Sequence, residues 1–151
     1  DNSDKVYKIN LTYITSRGKW YHQSWKGDVD KCGGIISNIG VHFFDMLIWI
    51  FGDVVSFKKI TESKDSVEGH LQLKRADINW NLSVNYDNIP QIIKNKGLKT
   101  YRSLNIEGNE IEFSSGFTDL HTTSYKKIIS GDSFSLSDAR KAIDLVSKLR
   151  D

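Results

Sequence analysis

The sequence predicts an α+β domain built on an open, mostly antiparallel β-sheet with helices on one face. Three observations carry that reading. Short segments alternate apolar and polar side chains with a period of two, one long apolar segment has helical spacing, and two further helical segments close the chain. The order is strand, long loop, helix, sheet meander, two helices.

Residues 5–14 open the series: Tyr7, Ile9, Leu11 and Tyr13 alternate with Lys8, Asn10 and Thr12, the pattern of a half-buried strand. Residues 15–34 have no clean period and predict a long loop holding Arg17, Trp20, Tyr21, Trp25, Lys26, Asp28 and the pair Gly33-Gly34. Loops of that length without their own structure are usually functional or disordered, and the aromatic content argues against disorder. Residues 35–51 are the most apolar segment. Helical spacing puts Ile39, Phe43, Met46 and Ile50 on one side, flanked by Ile35 and Leu47, so a largely buried helix is expected. The double glycine allows a tight backbone before it, and Gly52 is a natural stop.

Strands are expected over 54–62, 66–74 and 77–86. The third has the clearest alternation: Ile78, Trp80, Leu82, Val84 and Tyr86 face one way, Asn79, Asn81, Ser83 and Asn85 the other. Residues 87–99, with Pro90, Gly97 and several lysines, read as an excursion. Strands resume at about 100–107 and 110–114, with Gly108-Asn109 as the hairpin turn. Thr118 is a candidate cap for a helix running to about Ser130. In the last helix Ser135 and Asp138 have capping-box spacing, with Ala139, Ala142, Ile143, Val146 and Leu149 facing the core.

The 151 residues suit a single domain, and 21 Lys plus Arg against 19 Asp plus Glu is too even to argue for nucleic acid or a membrane surface. One cysteine excludes an internal disulfide framework and a multi-cysteine zinc site. No continuous apolar stretch reaches the roughly 18 residues of a transmembrane candidate, and no signal-peptide pattern opens the chain, so a cytoplasmic location is expected. The chain starts at Asp1 and is almost at once in a strand-like pattern, which reads as a piece of something longer.

Asn38, His42 and Asp45 stand at i, i+4 and i+7 of the apolar helix, a spacing that lines up an amide, an imidazole and a carboxylate. Imidazole is the natural proton carrier near neutral pH. Asp45 is placed to hold its tautomer or accept a hydrogen bond, and Asn38 to bind a substrate hydroxyl. The alternative is that the three satisfy one another or nearby backbone inside the core. No metal is expected, since one His and one carboxylate are too few.

The run Lys31-Cys32-Gly33-Gly34-Ile35-Ile36-Ser37-Asn38-Ile39-Gly40-Val41-His42-Phe43-Phe44-Asp45 resembles the signature Gly-Gly-x3-Asp-x-Gly-x-His-x2-Asp of the Gfo/Idh/MocA oxidoreductase family. It departs at Asn38, where many members have Asp; an amide cannot act as a base. Arg17-Gly18-Lys19-Trp20-Tyr21, Ser24-Trp25-Lys26-Gly27-Asp28, Tyr101-Arg102-Ser103 and the stretch from Ile111 to Thr122 resemble one branch of it. That branch is the UDP-N-acetylglucosaminuronate 3-dehydrogenases of lipopolysaccharide O-antigen biosynthesis.

The resemblance implies that the chain is a C-terminal substrate-binding and oligomerisation domain, its N-terminal Rossmann domain missing. It implies oxidation of a UDP-sugar acid at C3 with NAD bound mainly by that missing half, since no G-x-G-x-x-G fingerprint follows a strand here. His42 is then the catalytic residue, working with a lysine of the absent half, and the isolated piece should not turn over. Arg17 is the cation expected to meet the anionic substrate, because a guanidinium holds carboxylate or phosphate bidentately. Lys26 is a second phosphate candidate. Trp20 and Tyr21 either stack on the ligand or pin the loop. Arg102 either reaches the ligand or closes a strand-end salt bridge, and His121 is a further contact. His22, His70 and Cys32 read as structural. The Asn-rich face of 77–86 is either solvated or, as in the family, packed on another subunit's sheet. Two other functions remain open: another sugar or polyol dehydrogenase of the family, or a non-catalytic binding or scaffold domain.

Overall fold

The computed structural model describes residues 5–115, 119–132 and 135–150. Six strands form one sheet in the order β2-β3-β4-β1-β5-β6: β1 Tyr7–Thr15, β2 Val54–Glu62, β3 Ser66–Leu73, β4 Ala76–Ser83, β5 Thr100–Ile106 and β6 Asn109–Glu112. β1 runs parallel to β4, with Leu11 opposite Trp80, and the other neighbours are antiparallel. Alternation therefore works as the sequence predicts. Ile9, Leu11 and Tyr13 of β1, Ile78, Trp80 and Leu82 of β4 and Val67, Leu71 and Leu73 of β3 are buried on one face. Asn10, Asn79 and Glu68 are exposed on the other.

The buried face is covered by α3 (Val41–Phe51) and α6 (Leu136–Arg150). Phe44 meets Trp80 edge to face at 5.4 Å. The inner glycine of the signature has a steric reason. A Cβ on Gly40 would come within 2.9 Å of Leu82 Cδ1 and 3.0 Å of the Phe44 ring, so only glycine lets the helix start rest on β4. Gly69 plays the matching role in β3, where Trp80 lies across the space a side chain would fill.

The structure adjusts several expectations. The loop 15–34 contains two short helices, α1 (Lys19–Gln23) and α2 (Val29–Cys32), with a 3₁₀ turn at Trp25–Gly27 between them. The helix expected over 35–51 begins as a π turn at Ile36–Gly40, closed by the Val41 N–H on the Ile36 carbonyl, before α3 proper. Its buried stripe is Phe44, Leu47, Ile48 and Phe51 with Phe43, rather than one running to Ile50, which is 38 % exposed. His42, Asp45 and Trp49 form the outward stripe of the same helix. The stretch Val29–Phe51 is long and apolar enough to cross a membrane by length and composition, with a mean hydropathy of 1.6, contrary to the sequence expectation. Half of that window is buried within the fold, as in a core helix.

β4 ends at Ser83, and Ser83, Val84 and Tyr86 leave the alternation. Ser83 is fully buried because its hydroxyl donates to the Asp65 carbonyl and accepts from the Asn85 N–H and the Asn88 amide. The excursion 87–99 holds α4 (Gln91–Asn95), whose Ile93 packs with Ile89, Ile14 and Tyr101 in a small separate cluster. The β5–β6 turn centres on Glu107-Gly108, one residue before the predicted pair. Both have positive φ, 53° and 85°, as the tight hairpin turn requires. α5 spans Leu120–Ile129, and its expected cap Thr118 lies outside the described residues. Asp138 accepts from the Ser135 N–H at 2.7 Å, which starts α6 as the capping box predicts. α6 buries Ala142, Leu145, Val146 and Leu149, at i, i+3, i+4 and i+7. Leu145 takes the core place expected of Ile143, which is 54 % exposed.

Two predictions follow from this packing. A Cβ at Gly69 would lie 2.1 Å from Trp80 Cζ2 and 2.4 Å from the Lys58 carbonyl oxygen. Gly69→Ala should therefore cost about 1–3 kcal/mol, as overpacking does, seen as a lower urea midpoint; an unchanged midpoint would show that Trp80 is not seated there. Asp53 joins the start of β2 to α6, accepting from Lys141 at 2.5 Å and from Lys74 at 2.6 Å. These ammonium groups, Lys141 foremost, hold its carboxyl at about 2 against an ordinary 3.8. Because the folded value is depressed, the stabilisation is complete above 3.8 and is lost as the pH falls through about 2. Both ion pairs are exposed, so the gain is small and salt-screened. Asp53→Asn should flatten the pH dependence of unfolding in that window, and an unaltered acid slope would exclude the role.

Candidate functional site

The first turn of α3 presents His42 to a cleft of about 390 Å³ lined by Tyr13, His42, Phe43, Met46, Arg102 and Leu120. The cleft is built from three directions. β1 supplies Tyr13 at its buried end, β5 supplies Arg102 opposite it, and α5 brings Leu120 to the rim. Tyr13 and Phe43 pack at 4.7 Å between ring centroids, and Phe113 adds a third ring 6.0 Å from Phe43. The Arg102 guanidinium sits 5.2 Å above the Tyr13 ring. Its backbone N–H donates to Ser114 Oγ at 3.0 Å, and its Nη1 to the Ser114 carbonyl at 3.4 Å. A cation and an imidazole thus share a mostly aromatic cleft, a combination suited to holding an anionic ligand beside a proton carrier.

The other predicted residues fall in different places. Asp45 is exposed one turn beyond His42, and no hydrogen bond joins the two among the described residues, so the tautomer-holding contact is not made. Asn38 stands in the π turn, and its side chain is turned to α1 and α2. There its Nδ2 donates to the Lys26 carbonyl at 3.1 Å and to the Tyr21 hydroxyl at 3.3 Å. Tyr21 is 3 % exposed and packs against the core. Burial, the largest cause, pushes its phenol up from 10.0, against the opposing Asn38 hydrogen bond. Trp20 is 52 % exposed and meets Tyr21 edge to face. Arg17 and Lys26 are exposed on the same segment, Arg17 anchored by its N–H on the Val84 carbonyl. His121 is exposed on α5 beside Leu120. None of Arg17, Trp20, Lys26, Asp45 and His121 lines the His42 cleft.

Sequence reasoning missed Tyr13, Met46 and Leu120 as cleft walls. Tyr13 carried a signal, since it is the last large residue on the inward face of the first strand. Leu120 carried none, because only the fold brings α5 beside β5. Among the described residues, no group of three or more His, Cys, Asp or Glu side chains converges on a metal position.

Residues 4–89 match the family described as oxidoreductase family, C-terminal alpha/beta domain, over more than half of the chain. The chain belongs to this Gfo/Idh/MocA oxidoreductase family, with the C-terminal fold. Two solved structures of the WlbA (WbpB) dehydrogenase from Thermus thermophilus are similar. The one in complex with NAD and alpha-ketoglutarate is 43% identical with a TM-score of 0.91, over 96% of this chain and 47% of that one. The one in complex with NAD and UDP-GlcNAcA is 40% identical with a TM-score of 0.92, over 98% and 48%. The WlbA dehydrogenase from Bordetella pertussis, in complex with NADH and UDP-GlcNAcA, shares the fold at 17% identity and a TM-score of 0.71, over 97% and 51%. The chain spans about half the length of these proteins.

The described residues do not by themselves fit a dinucleotide. The double glycine is the nearest approach to a phosphate loop, but its cradle is filled. A Cβ on Gly33 would meet Ser37 Oγ at 2.3 Å and the Arg150 guanidinium at 2.8 Å. The glycines are needed instead for their backbone: φ is 78° at Gly33 and 69° at Gly34, which turns the chain from α2 into the π turn.

Proposed function

We propose that this chain is the substrate-binding domain of an NAD-dependent dehydrogenase that oxidises C3 of a UDP-N-acetyl-hexosaminuronic acid, in the cytoplasmic synthesis of lipopolysaccharide O-antigen sugars. The observation that carries this is the match of 98% of this chain to about half of a dehydrogenase holding NAD and UDP-GlcNAcA, at a TM-score of 0.92. The placement of His42 and Arg102 in one cleft supports it. An N-terminal Rossmann domain would bind NAD, since this chain offers no phosphate loop, and the chemistry assigned here is confined to the substrate and its proton.

In this reading His42 takes the proton of the reacting hydroxyl, as an exposed imidazole in a partly apolar cleft is suited to do. Arg102 faces the substrate from across the cleft and attracts its negative charge. Arg17 and Lys26 serve the diphosphate or the uronate carboxylate from the α1–α2 segment, where Trp20 offers an exposed ring for stacking. Asp45 and His121 are outer contacts, reached when the substrate and the second domain are in place. Tyr21 and Asn38 act from beneath, holding the segment that carries the cations.

The open sheet face supports a homo-oligomer. It presents Asn10, Thr12, Asn79, Asn81 and Glu68 around shallow polar hollows, and such a surface packs on a second copy through hydrogen bonds and water.

Two measurements test these readings. The chain joined to its N-terminal half should form NADH from UDP-GlcNAcA. There His42→Ala should lower kcat by about 10²–10⁴-fold while NAD binding is kept; unchanged turnover would remove His42 from the chemistry, and no NADH from any UDP-sugar acid would overturn the substrate assignment. Light scattering on a size-exclusion column should give more than one copy per particle, and Asn79→Arg should dissociate it. A strict monomer at high concentration would remove the sheet-face interface.

A further inference from the structure

A polar centre lies beneath the α1–α2 segment. Asn38 stands in the π turn, and its Nδ2 lies 3.1 Å from the Lys26 carbonyl, 3.3 Å from the Tyr21 hydroxyl and 3.8 Å from Cys32 Sγ. The Cys32 thiol donates to the same Lys26 carbonyl at 2.8 Å, so both lone pairs of that oxygen are used. A carbonyl can only accept, which fixes the amide with its nitrogen toward the segment. Three points of that segment, at residues 21, 26 and 32, therefore close on one side chain. Tyr21 is buried there, and Trp20 and His22 flank it edge to face at 6.1 and 5.4 Å. His22 Nε2 also lies 3.1 Å from Asp65 Oδ1, beside the β2–β3 turn.

We propose that Asn38 is a positioning residue, a latch whose amide fixes residues 19–32, with their exposed Trp20 and Lys26, to the turn that presents His42. A carboxylate in its place would aim an acceptor at the Lys26 carbonyl and lose that bond, since neither oxygen carries a hydrogen. The amide at this position is thus explained by what it donates to, not by what it does to a substrate. The proposal rests on the dehydrogenase reading only for its consequence in catalysis; the latch itself is a property of this chain.

Hydrogen exchange followed residue by residue tests the latch without activity. The Ser24, Gly27, Cys32 and Gly33 N–H groups are bonded within the segment, to Trp20, Ser24, Asp28 and Val29 carbonyls. Asn38→Ala and Asn38→Asp should speed their exchange roughly tenfold, the loss of about one hydrogen bond, while β1 and β4 amides keep their rates. Tyr21→Phe, which keeps the ring and removes one acceptor, should give a smaller rise in the same amides and serves if the Asn38 variants fold poorly. Unchanged exchange in the segment, or an equal rise across the sheet, would overturn the latch. In the protein joined to its N-terminal half, Asn38→Asp should raise KM for UDP-GlcNAcA about tenfold with kcat within about threefold. A fall in kcat at constant KM would place Asn38 on the reacting sugar and overturn the proposal. If the unaltered protein shows no turnover, the dehydrogenase reading fails and the exchange rates alone decide the latch.

Discussion

The seating of the π turn and α3 on β4 is the contact on which the rest of the molecule depends. Gly40 allows it, Leu82 and Trp80 receive it, and Phe44 fills the angle between helix and sheet with no exposed surface. Interiors are packed like crystals, so a single added methyl group at this contact has no place to go. Lifting the helix by even an ångström would separate Phe43 from Tyr13 and open the wall of the His42 cleft. The same contact fixes which residues of α3 point outward. With Phe44, Leu47, Ile48 and Phe51 turned to the sheet, His42 and Asp45 must face away from it.

The residues proposed to meet the substrate are arranged around that contact in two layers. Rigid elements carry His42 and Arg102, one in the first turn of a packed helix and the other in the second strand from the sheet edge. Side chains on such elements keep their spacing better than side chains on loops. The more adaptable groups, Arg17, Trp20 and Lys26, lie on a segment of short helices that lacks a hydrophobic core of its own beyond Tyr21. Short helices are marginal alone, so that segment depends on polar ties: Asn38 beneath it and the Asp28 carboxylate capping α2.

Much of the fold was legible because burial imposes a period. The strands expected at residues 5–14 and 66–74 are seen close to where alternation places them, the one expected over 77–86 runs from Ala76 only to Ser83, and α6 begins at the Ser135–Asp138 pair. Misjudgements fall where a local rule gave way to packing. Helical spacing lined Asn38 up with His42 and Asp45, yet its amide is spent on Lys26 and Tyr21 from within a π turn. Ser83 continued an alternating strand in the sequence, yet its hydroxyl is consumed inside by Asp65, Asn85 and Asn88. Of the candidate site, His42 and Arg102 were legible as residues, but nothing in the sequence said that they share a cleft.

By itself the sequence determined the fold class, the family signature and the kinds of chemistry available, because these follow from side-chain periodicity and from residue types at short spacing. Only the tertiary structure decided which of those residues stand together. The parallel pairing of β1 with β4 puts β5 on the far side of β1, and so brings Arg102 over Tyr13 and into the cleft that His42 lines. The abrupt left-handed turn at Gly33-Gly34 folds α2 back on the π turn, and so gives Asn38 its partners at residues 21, 26 and 32. Both are contacts between residues far apart in the chain, and local sequence patterns carry no record of which distant partner a side chain will meet.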